Sequence, residues 1–162
     1  MMFSQETLAR FNREVAKYPA DQRQSAVMAC LSIVQQEQGH VSPEAEAAVA
    51  EYLGMPAIAV AEVVTFYNMY NQHPMGRFKL NVCTNLPCAL RDGQKALEHL
   101  CSKLKVEEGG TTPDGIFTVQ KSECLGACAD APVMLVNDRQ MVSFMTPDRL
   151  DELVATLASQ AK

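Results

Sequence analysis

The sequence lacks the features that mark several large functional classes. No stretch approaches the roughly 18 consecutive apolar residues of a membrane-spanning helix. Residues 1–20 mix charges with scattered apolar side chains and hold no continuous apolar segment of the secretory kind. Neither membrane insertion nor export is therefore expected. Lysine and arginine together number 14 against 19 aspartates and glutamates, a net charge of -5. With no basic cluster, the chain is a poor candidate for binding nucleic acid, where affinity rests on neutralising phosphates. Also missing are a G-x-G-x-x-G or Walker phosphate loop, a Cys-His or Ser-His-Asp arrangement, and any internal repeat. The chain is thus expected to have no nucleotide or flavin site of its own, so any two-electron chemistry would fall to a partner.

What the sequence does have is six cysteines in 162 residues. Four form two tight pairs, Cys83-Thr-Asn-Leu-Pro-Cys88 and Cys124-Leu-Gly-Ala-Cys128, separated by enough chain for a helix and a strand. In a reducing compartment such thiols are metal ligands or buried side chains more often than disulfides. Pairs supplied by two loops can complete the coordination of two sulfide-bridged irons, each iron taking one pair, so a [2Fe-2S] electron carrier is the leading reading. C-x4-C and C-x3-C also fall within zinc spacings, and a zinc-stabilised interaction module stays open on spacing alone. A thioredoxin-type dithiol is less attractive because no C-x2-C occurs. Cys30 and Cys101 lie on apolar helix stripes and read as core thiols. His40, His73 and His99 have no paired spacing and read as loop or surface residues, which disfavours mixed His/Cys ligation.

The pattern along the chain changes near Tyr70. Before it, everything reads as helix. Val27, Cys30, Leu31 and Val34 share one face of a helix over residues 21–39 that Gly39 stops. Ser42, Pro43 and Glu44 supply an N-cap, a first-position proline and a first-turn acid for a helix running to Leu53. Gly54 breaks that helix and Pro56 restarts one carrying Val60, Val63, Val64 and Tyr67. The run Thr65-Phe-Tyr-Asn-Met-Tyr70 reads as core first and interface second.

After residue 76 the period switches to two. Phe78, Leu80 and Val82 alternate with Lys79 and Asn81, a half-buried strand that delivers Cys83 at its end. A helix starting near Pro87 is expected to turn Leu90, Leu97, Leu100, Cys101 and Leu104 inward, with Cys88 in its first turn, where the helix dipole lowers a thiol pKa. Strands are expected over residues 116–119, 132–136 and 141–144, the last two joined by a turn at Asn137-Asp-Arg139. Thr146-Pro-Asp148 starts a final helix with Leu150, Leu153, Val154 and Leu157 inward. Met134, Met141 and Met145 read as core. The fold class is α+β, a helical bundle followed by a small sheet with helices packed on it.

Several segments carry a family resemblance over nearly the whole chain. They are Tyr18-Pro-Ala-Asp, Leu53-Gly-Met-Pro, Thr65-Phe-Tyr-Asn-Met-Tyr, Val82-Cys-Thr-Asn-Leu-Pro-Cys88, Thr112-Pro-Asp-Gly115 and Glu123-Cys-Leu-Gly-Ala-Cys-Ala-Asp-Ala-Pro132. Together they resemble the NuoE family of NADH-quinone oxidoreductase, respiratory complex I, in its bacterial form. The resemblance implies an N-terminal helical bundle over residues 1–72 and a thioredoxin-like [2Fe-2S] ferredoxin domain over residues 73–162. It implies Cys83, Cys88, Cys124 and Cys128 as the cluster ligands, with no catalytic residues in the chain. It also implies docking to a flavoprotein subunit that binds NADH and FMN, contact with other peripheral-arm subunits, and a place on the cytoplasmic side of the bacterial inner membrane. The chain is then an electron-carrying subunit of an enzyme, without a substrate site of its own. The same module serves NAD-linked formate dehydrogenases and NAD-reducing hydrogenases, which are the alternative parents. His40 departs from the family, where an aromatic residue is common, at a position far in sequence from the ligand loops.

Overall fold

The computed structural model describes residues 3–161. Met1, Met2 and Lys162, the outer ends of the two expected domains, lie outside the described residues. The chain divides into two compact units between Pro74 and Met75. No helix among the described residues is long and apolar enough to cross a membrane.

The first unit is helical. Helix α1, Gln5–Val15, is capped by the Ser4 side chain, which accepts from the Thr7 backbone N–H at 3.1 Å. A 3-10 segment, Ala20–Ala26, leads into α2, Val27–Gln38, so the helix expected over residues 21–39 is regular only in its second half. The expected punctuation is present. Gly39 and Gly54 close α2 and α3, Pro43–Leu53, in the left-handed conformation that a Cβ disfavours. Ser42 caps α3 by accepting from the Ala45 N–H, and Pro56 precedes α4, Ala57–Phe66. Phe11, Leu31, Val34, Val49, Val60 and Val64 are buried together, each such side chain contributing roughly 1.5–3 kcal/mol by leaving water. The aromatic run behaves differently from a core segment. Tyr70 is buried and its hydroxyl donates to the Met28 carbonyl at 2.9 Å, but Phe66 is 80% exposed and Tyr67 and Met69 are also exposed. Helix α4 ends at Phe66, which stands two residues past Val64 and so roughly 200° round the helix from it, and Tyr67 leaves the helix in extended conformation.

The second unit is built on a four-stranded sheet in the order β2-β1-β3-β4. Strands β1, Phe78–Cys83, and β2, Phe117–Ser122, run parallel. Their crossover carries α5, Leu86–Ala89, and α6, Gly93–Leu104, as a parallel pair requires. Strands β3, Met134–Val136, and β4, Gln140–Val142, complete the sheet as an antiparallel hairpin, and α7, Pro147–Gln160, follows. Side chains of β1, β2 and β3 pack with Leu97, Leu100, Leu150 and Leu157 of the helices.

Three expectations need correction here. Strand β1 is buried along all six residues rather than on alternate ones, because the face carrying Lys79 and Asn81 is covered as well as the core face of Phe78, Leu80 and Val82. Its polar residues are satisfied by the hairpin turn: Lys79 pairs with Asp138 at 2.6 Å, Asn81 donates to the same carboxylate, and Asn137 accepts from the Lys79 backbone N–H at 2.7 Å. Second, the helix expected from Pro87 is two helices. Asp92 takes a left-handed φ of 66° between them, and Leu90 is 77% exposed rather than inward. Third, Met134 and Met145 are core residues, but Met141, on the edge strand β4, is exposed.

Candidate metal centre

The parallel pairing of β1 and β2 sets the site. In their register Cys83 stands beside Ser122, so both strands end at the same edge of the sheet. Beyond that edge β1 continues into the Cys83 to Cys88 loop, and β2 into the loop that carries Cys124 and Cys128. Three main-chain hydrogen bonds tie the loops down. Thr84 N–H donates to the Ser122 carbonyl at 3.1 Å, Cys83 N–H to Val133 at 3.0 Å, and Ala89 N–H to Asn85 at 2.9 Å, which starts α5. A side-chain bond joins the loops directly, from Asn85 Nδ2 to Glu123 Oε2 at 3.1 Å. Cys83, Cys88, Ala131 and Val133 form a small buried cluster of their own, with Leu125 and Ala127 against it. The Ala131–Pro132 peptide bond beside it is cis.

Cys83 and Cys88 share one small buried cluster, while Cys124 and Cys128 are exposed on the loop after β2. Among the described residues no three His, Cys, Asp or Glu side chains converge as they would around one metal ion. The donors these two loops carry are four thiols, two from each loop. Two thiols from each of two loops suit a two-iron centre, one pair to each iron, and four thiolates also suit one tetrahedral zinc. The residues present therefore fit a [2Fe-2S] group. Backbone donors face the sulfurs as well: Gly126, at φ 77°, directs its N–H to Cys124 Sγ at 3.4 Å, and a Val133 backbone hydrogen bond favours the Cys88 thiolate.

The expected lowering of the Cys88 pKa by a helix end is not found. Burial pushes the Cys88 thiol up, the neighbouring Cys83 adds to the rise, and α5, with four residues, offers little dipole against it. Cys128 is also raised, first by the neighbouring Cys124.

The other cysteines stand apart. Cys30 is fully buried among helices α1 to α4, and burial, followed by the charge of Glu14, pushes its pKa up to about 12. Cys101 packs partly buried against the core of the second unit. Of the histidines, His99 pairs with Asp151 at 2.7 Å, which with Lys103 holds that carboxyl below its usual range, and His40 hydrogen-bonds the Gln38 carbonyl. Sequence reasoning missed Val133, Asn85 and Glu123 as residues that shape the site. Only contacts over long sequence separations reveal them.

Residues 11–158 match the thioredoxin-like [2Fe-2S] ferredoxin family. The chain belongs to this family of iron-sulfur proteins, together with the NuoE-type subunits of NADH-quinone oxidoreductases. It is 42% identical over 142 residues to NADH-quinone oxidoreductase subunit 2 of Thermus thermophilus, covering 88% of this chain and 78% of the relative. It is 45% identical over 123 residues to a NuoE-type NADH-quinone oxidoreductase subunit of Rhizobium meliloti, covering 76% and 72%. A solved NAD+-reducing [NiFe]-hydrogenase shares the fold, with a TM-score of 0.70 at 22% identity, over 83% of this chain and 22% of the hydrogenase chain.

Proposed function

We propose that this chain is the small electron-transfer subunit of an NADH-quinone oxidoreductase, with Cys83, Cys88, Cys124 and Cys128 holding one [2Fe-2S] cluster. The observation that supports the reading is that two loops leaving the same end of the parallel β1–β2 pair each carry two thiols. The relatives that match most of the chain are named as subunits of that oxidoreductase, whereas the likeness to the hydrogenase supports the fold alone. When bound, such a cluster accepts and releases electrons singly, which complements a flavin that takes hydride as an electron pair.

The chain's own residues would do the rest. Strand β1 delivers Cys83 and α5 delivers Cys88 into a buried pocket, where Val133 and Ala131 exclude water from that pair. The Gly126 N–H and the Val133 backbone bond supply hydrogen bonds to sulfur of the kind that tune a cluster's potential. Cys124 and Cys128 face outward, and a partner's redox group would approach from their side. That partner is a flavoprotein subunit binding NADH and FMN, within the peripheral arm on the cytoplasmic side of the bacterial inner membrane. Anaerobic purification tests the reading. About two irons and two acid-labile sulfides per chain are expected, and a colourless protein holding zinc and no sulfide would refute it.

A further inference from the structure

Gly93 opens α6 and is buried. Its backbone makes no use of glycine's special freedom, since it is absent from the positive-φ glycines, which are Gly39, Gly54, Gly109, Gly115 and Gly126. The constraint there is space. A Cβ at position 93 would lie 2.8 Å from the carbonyl oxygen of Cys83, 2.8 Å from that of Cys88 and 3.0 Å from the Cys88 carbonyl carbon. Real Cβ atoms essentially never approach closer than 3.0 Å, and all three obstacles are main chain, so no side-chain rotation relieves them. Glycine is the residue that permits such a close approach of backbones.

Both obstructing carbonyls belong to the first cysteine pair, though the two residues sit on different elements. Cys83 ends the central strand, with its N–H fixed to the Val133 carbonyl at 3.0 Å. Cys88 lies in the short α5, whose neighbouring Leu86 and Leu90 are 69% and 77% exposed. One side of this contact is anchored in the sheet and the other borders solvent. We infer that Gly93 is a positioning residue that sets the spacing of Cys83 and Cys88, an inference that rests on the cluster-carrier reading above. An added methyl group displaces the side that can yield, moving Cys88 away from Cys83 while the sheet stays in place.

Gly76 provides a matched control in the same unit. A Cβ there would come 2.8 Å from the Phe117 carbonyl carbon and 2.9 Å from the Phe117 nitrogen, an equal backbone clash that involves no cysteine. The test compares wild type, Gly93→Ala and Gly76→Ala as full-length chains. Iron and sulfide per chain are measured after anaerobic reconstitution, the EPR spectrum after reduction, and far-UV circular dichroism before reconstitution. Gly93→Ala is expected to fold as judged by circular dichroism, to bind the cluster on the order of 10-fold or more weakly, as substitutions behind metal ligands do, and to alter the EPR line shape of whatever cluster it retains. Gly76→Ala is expected to lower the unfolding temperature and keep the wild-type spectrum. A folded Gly93→Ala with wild-type iron content and spectrum would overturn the inference. So would an unfolded Gly93→Ala, which would make the glycine a requirement of the fold, or a Gly76→Ala with the same spectral change. A wild-type chain that binds no iron would overturn the proposed function and this inference with it.

Discussion

The two cysteine loops leave the same edge of the sheet and meet solvent differently. Cys83 and Cys88 are 2% and 1% exposed, while Cys124 and Cys128 are exposed. The difference follows from the parent strands. Strand β1 lies between β2 and β3, and the loop after it is covered by Ala131 and Val133. Strand β2 is an edge, and nothing in the small cluster behind the first pair covers the second. A thiol's protection is thus set by the place of its strand in the sheet more than by the spacing of its motif. In the proposed electron carrier this arrangement would give one end of the cluster a dry seat and leave the other within reach of a partner.

The largest effect that would sharpen this contrast comes from removing ligands. Cys83→Ala and Cys124→Ala should each abolish the visible and EPR signals of the reconstituted protein, because each leaves one iron with a single protein sulfur. Cys30→Ala should keep both signals. Equal loss in all three variants would break the ligand assignment. A smaller effect is expected from alkylation of the metal-free chain with iodoacetamide, followed residue by residue by mass spectrometry. Cys124 and Cys128 should label faster than Cys83 and Cys88 by about tenfold or more, the factor set by a local opening that costs ~1.4 kcal/mol. Cys30 should label slowest, since it is fully buried and its thiol stays protonated up to about 12. Uniform labelling of the four site cysteines would show that the burial difference does not persist in solution. The smallest effect concerns the bond between the loops. Asn85→Ala should destabilise the metal-free chain by about 0.5–1 kcal/mol in thermal unfolding. That loss should vanish in a Glu123→Ala background, and strict additivity would mean that the two side chains do not interact.

Much of this was legible in the sequence because it rests on local rules. The caps at Ser42 and Thr146, the stops at Gly39 and Gly54, and the strand ending at Cys83 each depend on a few neighbouring residues. So does the separation of Cys30 and Cys101 from the paired thiols. Some errors came where distant residues decide, and others where a helix ends or breaks. Lys79 and Asn81 look like the wet face of a strand until Asp138, more than fifty positions later, turns out to satisfy both. Leu90 reads as inward only if one helix runs unbroken from Pro87, and the left-handed Asp92 ends that continuity. Phe66 looks apolar enough for a core, but it falls on the face of α4 away from Val60 and Val64. Cys88 shows the same limit at the site: position in a helix is local, whereas the burial that raises its pKa comes from Val133 and Ala131.

The residue-for-residue alignment of Cys83 with Ser122 across the parallel strands also governs where this module can change length. One residue inserted into β1 or β2 would advance its cysteine loop by about 3.3 Å relative to the other, far beyond the roughly 0.2 Å tolerance of a metal-ligand bond. Residues added between α6 and β2 would lengthen only a connection, at an entropic cost that rises slowly with length. Natural variation in length is thus expected to collect in that connection and to leave the two strands untouched.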